Sequence, residues 1–332
     1  MPSFQQAGRL QVFALAHSRV LGEHVAHHLG IGLSPHDERE FEDGEHKTRS
    51  LVSVRGNDVY VIHSLYAEAG QSGHDKLCRL LFFIGALKDA AAARVTAIVP
   101  YLAYARKNRK TQPRDPVMTR YIAMLFEAVG TDAIVTIDVH DVAVFQNAFR
   151  CRTEHLDATT LFTDYFTPLL GDAEVVVVAP DAGAMKRADQ LRRRLATALA
   201  KPVGAAFTEK HRSGGVVSGD LLVGEVQGKT ALIADDMIGT GTTISRTAQA
   251  CQRSGAVWVI AAATHGLFAP GADAALAESA LHQVIVTDSI AGGRLTSPGA
   301  AAKVTVLTCA ALLAEAIARM HSGGSIVELL GA

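Results

Sequence analysis

Cysteine, aromatic residues, net charge and long apolar runs are all scarce in this chain, and each scarcity excludes something. The 332 residues hold only four cysteines. Cys78, Cys151, Cys251 and Cys309 form no Cys-x-x-Cys pair, so neither a zinc knuckle nor a disulfide framework is written, and a reduced, cytoplasmic setting is expected. Lys plus Arg total 32 against 33 Asp plus Glu, for a net charge of -1. No overall field draws such a chain onto nucleic acid or an anionic membrane, so any bound anion must meet a local cluster. The longest apolar stretch, Leu80 to Leu87, falls well short of the roughly 20 residues that a membrane span needs. His and Glu also interrupt residues 1 to 30, where a signal peptide would need an apolar core.

What is present is the material of a globular protein. Hydrophobic residues make up 48% and charged residues 20%, enough to bury a core. At roughly 100 to 200 residues per domain, the length predicts two domains. Short runs rich in Val and Ile alternate with amphipathic stretches, the pattern of parallel strands joined by crossover helices. The runs place strands at 11–14, 58–63, 95–99, 133–137, 174–179, 203–208, 231–234, 257–263, 283–287 and 304–307. Apolar residues three and four apart place helices at 75–92, 116–129, 185–199 and 243–254. Strands followed by acid recur as IVTIDVHD at 134–141, VVVVAPDAG at 175–183 and ALIADDMIGTGTT at 231–243. This echo suggests two related α/β halves meeting near 150–165. Ligands of open α/β sheets sit beyond the carboxyl ends of strands, so these tips are where function is sought.

The segment 231–243 is the most specific local signal. Asp235 and Asp236, expected at a strand tip, can accept from vicinal sugar hydroxyls. Gly239 and Gly241 allow close backbone approach, and Thr240, Thr242 and Thr243 set hydroxyls beside the amides of a helix N-terminus. Orphan N–H groups and the helix dipole there favour an anion. Together these parts describe a phosphorylated-sugar site. A Thr cap after a Gly-rich turn is the plainer alternative, and the paired acids weigh against it. The Walker A lysine is missing, so this is no ordinary P-loop.

Other segments are weaker alone. If the strand conformation persists past Ile137, Asp138 and His140 project to one side; His140 then suits a metal or a phosphate, although a lone His is more often structural. Arg106, Lys107, Arg109, Lys110 and Arg114 crowd one loop, suited to charge-assisted polyphosphate contacts. A solvated surface loop or an RNA patch are the alternatives, the latter weakened by the lack of interleaved aromatics. Lys210 and Arg212, two apart in EKHRSGG, suit a cationic arm that closes over a transferring phosphoryl group, or an ordinary hairpin loop with incidental charge. Phe41-Glu42-Asp43-Gly44-Glu45 sits in a long polar loop and could stack on a base, though a surface turn is the default.

Taken together, FEDGE at 41–45, PYLAYARKNR at 100–109, IDVH at 137–140, PDAGAMKRA at 180–188, EKHR at 209–212, ADDMIGTGTT at 234–243, ATHGLF at 263–268 and LLAEAIARMHSGGSI at 312–326 resemble the ribose-phosphate pyrophosphokinase family, the phosphoribosyl pyrophosphate synthetases. The resemblance runs through nearly the whole chain. It implies an α/β fold of two related phosphoribosyltransferase-like domains, each a mainly parallel sheet flanked by helices. Residues 1–155 would carry the ATP loops, with a helix at about 310–325 packed on them, and 156–332 the ribose 5-phosphate site. The implied reaction moves the diphosphoryl group of ATP to the C1 hydroxyl of ribose 5-phosphate with Mg2+, giving phosphoribosyl pyrophosphate and AMP. By the same resemblance Phe41, Asp43, Glu45, Arg106, Lys107 and Asn108 look like ATP contacts, and the loop around Phe41 serves a neighbouring subunit. Lys210, Arg212 and His140 look catalytic, and His140 and Asp181 look like metal ligands. Asp235, Asp236, Gly239, Thr240, Gly241, Thr242 and Thr243 look like the ribose 5-phosphate site. A homo-oligomer, dimer or hexamer, is implied, with no nucleic-acid or membrane partner.

The chain departs from the family pattern at several positions. Gly239 and Asn108 each stand where relatives commonly have Asp, and Ala184 and Thr242 each replace a Gly. Two other functions fit part of the pattern. A phosphoribosyltransferase would share the 231–243 cradle without needing FEDGE, the 106–114 loop or IDVH. A non-catalytic nucleotide-binding homologue within a synthetase complex would tolerate Gly239 but has no need of Lys210, Arg212 and His140.

Overall fold

The computed structural model describes residues 8–213, 216–277 and 280–331, with only the backbone described for those of 210–220. The chain divides into two compact units, Met1–Asp157 with Cys309–Ala332, and Ala158–Thr308. Among the described residues no helix is long and apolar enough to cross a membrane.

In the first unit the strands are β1 (Leu10–Ala14), β2 (His36–Glu40), β3 (His46–Ser50), β4 (Asp58–Ile62), β5 (Arg94–Ile98), β6 (Ala133–Ile137) and β7 (Arg152–Leu156). β1, β4, β5, β6 and β7 pair in that order, all parallel. The central strands are buried on both faces, which is why they read as continuous apolar runs. Phe13, Val59 and Val95 from the sheet pack with Phe83, Ile84 and Phe126 from the helices Gly73–Asp89 and Met118–Ala128. The first of these helices begins where Ser72 accepts from Asp75 N while the Asp75 carboxylate accepts from Ser72 N, a reciprocal cap. The C-terminal helix Ala310–Ser322 returns to this unit and packs on the helix Arg19–His28.

In the second unit the strands are β8 (Val175–Ala179), β9 (Gly204–Ser213), β10 (Val216–Val223), β11 (Thr230–Ile238), β12 (Trp258–Gly266), β13 (Gln283–Thr287) and β14 (Val304–Leu307). Their order is β10-β9-β8-β11-β12-β13-β14, with only β10 antiparallel to its neighbour. The chain leaves β8 toward β9 on one side and then restarts at β11 on the other. β8 and β11 therefore flank the topological switch point, the place where open α/β sheets bind ligands.

Several sequence expectations need correction. Residues 36–50 form an antiparallel hairpin of their own, β2 paired with β3, in place of a long polar loop. Its residues are almost all polar and gave no apolar period to read. β11 does not stop at Ala234 but runs to Ile238, because its pairing with β12 continues through Asp235↔Ala263 and Ile238↔Gly266. Asp235 and Asp236 thus lie inside the strand. Past Ile137 the extended conformation does not persist: Asp138 has φ 40, so it and His140 do not project to one side.

Candidate functional site

The second unit builds its site from two loops at the switch point. Pairing of β11 with β8 ends at Ile233↔Val178, whereas pairing with β12 continues, so the two strands part just where Asp235 and Asp236 begin. The crevice between them is entered by the loop after β8, whose Asp181 carboxylate accepts from the amides of Gly183 (2.9 Å) and Ala184 (3.1 Å). Asp236 is 4% exposed, and Arg187 Nη1, on the helix Met185–Ala198, lies 3.9 Å from its carboxylate. Burial, the charge of Asp236 and, more weakly, that of Asp181 push the Asp235 carboxyl up to about 8. Like charges gathered at one strand tip repel, so a hydrogen-bond donor or a cation that enters between them is favoured.

Opposite these acids, β11 leads into the helix Thr242–Arg253 through Gly239, Thr240 and Gly241. Gly241 caps the helix with φ 76, a left-handed torsion that an L side chain adopts only under strain, and an added Cβ would also meet Leu276 at 3.4 Å. The turn is fixed by Phe268 N and Ala269 N, which donate to the carbonyls of Ile238 and Gly239, each at 3.0 Å. Thr240 and Thr242 are exposed, their hydroxyl oxygens 3.1 Å apart. The result is a lip of hydroxyls over the first-turn amides of a helix, groups suited to bind a phosphate dianion.

The first unit arranges its candidates around β2, β5 and β6. The turn Phe41–Glu45 joins β2 to β3 and is closed by Phe41 N to Glu45 O (2.8 Å) and by the Asp43 carboxylate, which accepts from Glu45 N (3.0 Å). Asp43 and Glu45 are exposed, and the Arg39 guanidinium lies 4.8 Å from the Phe41 ring. The hairpin is braced on the helix Gly73–Asp89 by Arg79 donating to Glu40 (2.7 Å) and by His46 stacked on Phe82. The basic loop follows β5. Tyr104 there has φ 65; its carbonyl accepts from Lys107 N (3.0 Å) and Thr119 Oγ1 (3.3 Å), and its hydroxyl bonds His74. Arg106, Lys107, Arg109, Lys110 and Arg114 are exposed, whereas Asn108 is half-buried and donates to Asp141 at 2.9 Å. His140 is exposed and Asp138 is buried, beyond the end of β6.

Lys210 and Arg212 belong to the backbone of β9, opposite Asp220 and Val217 of β10, and their side chains lie outside the described residues. Among the described residues no three His, Cys, Asp or Glu side chains gather into a metal cage. Arg187 and Asp141 were not singled out from sequence. Arg187 lies in the first turn of the helix that follows an acid-tipped strand, and Asp141 caps another next to His140. In both cases a charged residue in the first turn after a strand tip was the available signal.

Known proteins resemble this chain over nearly its whole length. Residues 10–130 match the family model described as the N-terminal domain of ribose phosphate pyrophosphokinase, and 220–331 match a phosphoribosyl synthetase-associated domain. The chain is 36% identical over 323 residues to ribose-phosphate pyrophosphokinase 1 of Listeria monocytogenes, covering 97% of each. It is 36% identical over 322 residues to the ribose-phosphate pyrophosphokinase of Caldanaerobacter subterraneus, covering 96% of this chain and 97% of that one. The crystal structure of phosphoribosylpyrophosphate synthetase from Mycobacterium smegmatis superposes with a TM-score of 0.85 at 35% identity, over 95% of this chain and 100% of that one. With kinship at this level along almost its entire length, the chain belongs to the ribose-phosphate pyrophosphokinase family.

Proposed function

We propose that the protein transfers the β,γ-diphosphoryl group of ATP to the C1 hydroxyl of ribose 5-phosphate, forming phosphoribosyl pyrophosphate and AMP. The observation that carries this reading is the strand-to-helix turn of the second unit, where paired carboxylates of β11 are followed by threonines at a helix N-terminus. Asp235 and Asp236 accept from the vicinal hydroxyls of the pentose, and Thr240 to Thr243 receive its 5-phosphate. Family membership supplies the second substrate and the direction of transfer.

In this reaction the C1 oxygen forms a bond to the β-phosphorus, the bond from that phosphorus to the oxygen bridging to the α-phosphate breaks, and the hydroxyl proton leaves. Such transfer needs little covalent chemistry from protein, so catalysis rests on alignment and on neutralising phosphoryl oxygens. The exposed Arg106, Lys107 and His140 hold the triphosphate. Lys210 and Arg212 stabilise the charge that develops in the transition state. Phe41 stacks on adenine and Asp43 and Glu45 accept from it, in a neighbouring copy of the chain, consistent with the exposure of that turn.

Mg2+ wants hard oxygen donors and takes one or two from protein, the rest from substrate phosphate and water. The Asp181 carboxylate fits that demand; the imidazole of His140 fits it less well and suits a phosphate oxygen better. Bound with the nucleotide, Mg2+ would offset charge on the phosphoryl oxygens. ATP as donor places the reaction in the cytoplasm.

The test is incubation of the pure protein with ATP, ribose 5-phosphate and Mg2+, following AMP. AMP that depends on both substrates supports the proposal, and AMP formed without the sugar, or none, refutes it. Lys210→Ala is expected to lower kcat by about a hundredfold with little change in the KM for ribose 5-phosphate.

A further inference from the structure

We infer that Asp141 is a positioning residue that sets the nucleotide loop against the His140 strand tip, acting through Asn108. This rests on the proposed role of the loop 106–109 in holding ATP. Asp141 is the N-cap of the helix Val142–Ala148 and uses its two carboxylate oxygens on different elements. Oδ1 accepts from Val144 N at 3.0 Å, which closes the first turn of that helix and fixes the side chain next to His140. Oδ2 accepts from the Asn108 carboxamide at 2.9 Å, across 33 residues of sequence. This side-chain bond joins the basic loop to the β6 tip. The loop's other ties run to α-helical and loop residues on its own side: Thr119 Oγ1 donates to the carbonyls of Tyr104 (3.3 Å) and Lys107 (3.5 Å), and Thr111 and Gln112 donate to Asp115, so none of them reaches the β6 tip.

Opposite Asp141, the side chain at 108 has to donate. A carboxylamide donates where Asp141 can only accept, whereas a carboxylate at 108 would set two like charges at hydrogen-bond distance. Arg106 and Lys107, adjacent and exposed, take their direction from where Asn108 is pinned. Long cationic side chains lose affinity for a fixed polyphosphate when their backbone is not pre-set, because the ordering then has to be done on binding.

The design of the test separates the two bonds. Asp141→Ser keeps a good N-cap hydroxyl but is too short to reach Asn108. Asn108→Asp keeps size but removes the donor and sets a second carboxylate against Asp141. The double variant N108D/D141N exchanges donor and acceptor, and the new Asn still caps the helix through its oxygen. Steady-state kinetics and calorimetric titration of magnesium ATP are measured for each, together with Tm. D141S and N108D are each expected to weaken ATP, in both KM and Kd, by about tenfold. The KM for ribose 5-phosphate should stay put, D141S should melt with the wild type, and the double variant should recover most of the lost ATP affinity. Wild-type ATP affinity in D141S and N108D, or a double variant no better than N108D, overturns the inference. A wild type that binds ATP yet forms no AMP overturns the proposed function alone, and the affinities still decide this one; a wild type that binds no ATP overturns both.

Discussion

Asp58 and His321 are 263 residues apart in sequence and 2.8 Å apart in space, Nδ1 of the imidazole bonding Oδ2 of the carboxylate. Asp58 opens β4 and is 2% exposed; His321 lies in the last turn of the C-terminal helix. Arg94, at the start of β5, donates to both oxygens of Asp58 and also to the carbonyl of Met320 at 3.0 Å. The Tyr60 hydroxyl donates to the same carboxylate at 3.2 Å, and burial together with that charge pushes its own ionisation far up. One buried carboxylate therefore clasps the returning helix to the sheet of the first unit.

Removing Asp58 strands a guanidinium that is three-quarters buried. Asp58→Ala should cost about 3 kcal/mol, the low end for a broken buried pair because Arg94 keeps some water. His321→Ala should cost about 1 kcal/mol, since Arg94 still holds Asp58 and Met320. Hydrogen exchange of amides in 310–322 should quicken in both variants, more in the first. Unchanged exchange in Asp58→Ala would show that apolar packing alone docks this helix.

A pH dependence follows from Asp235. Its carboxyl is raised from 3.8 to about 8 by burial and by Asp236. Because the folded value exceeds the unfolded one, the group's contribution to stability is complete below about pH 4 and is lost as pH climbs toward 8. Asp235→Asn keeps the shape without the ionisation, so its advantage over the wild type in Tm should grow between those limits and then level off. Parallel Tm curves across that window would mean the crevice is wet enough to carry both charges.

Much of the fold was legible because buried parallel strands announce themselves as unbroken apolar runs. VVVVA at 175–179 and QVIVT at 283–287 read as strands, and the backbone agrees. The elements that sequence concealed are those that bury little. β2 and β3 are polar on both faces, and β7, RTEHL at the sheet edge, alternates too weakly to stand out. The candidate site of the second unit was visible as acids before a Gly-Thr turn. That Asp235 and Asp236 lie inside β11 was not, since strand length there is decided by pairing with β12, a long-range contact. Asn108 with Asp141 and Asp236 with Arg187 were hidden for the same reason.

Lys76 offers a test of how a buried charge is held. It is wholly buried, pairs with Glu68 and sits 3.5 Å from the centre of the Tyr66 ring, while His17 shares the same Glu68 oxygen at 3.0 Å. Glu68→Ala removes the carboxylate paired with the buried ammonium and should cost about 3 kcal/mol, whereas Lys76→Met with Glu68→Gln should recover most of that loss. Urea melts of the single and double variants decide it: equal losses would mean the pair contributes nothing specific. His63 nearby is held neutral by burial and by Lys76, His17 and Arg79, its ionisation well below the usual 6.5. The unfolded chain takes up that proton and the folded chain does not, so stability should fall as pH drops below about 6.5.

Gly239 and Gly241 stand two residues apart in the same turn and should answer substitution in opposite directions. A Cβ at Gly239 meets nothing within 4 Å, and its φ is not positive. Alanine there restricts the unfolded chain without straining the fold, so Gly239→Ala should be neutral or stabilise by about 0.5 kcal/mol. Gly241 has φ 76 and Leu276 within 3.4 Å of an added Cβ, so Gly241→Ala should cost about 1 to 2 kcal/mol and tilt the helix start away from its anion. Because the space beside Gly239 is open, Gly239→Asp should also fold. Tm, read beside the KM for ribose 5-phosphate, separates these cases: Gly241→Ala should lose both, Gly239→Ala neither. A Gly239→Ala variant as damaged as Gly241→Ala would mean that the turn rearranges when sugar phosphate binds and uses the glycine torsion only then.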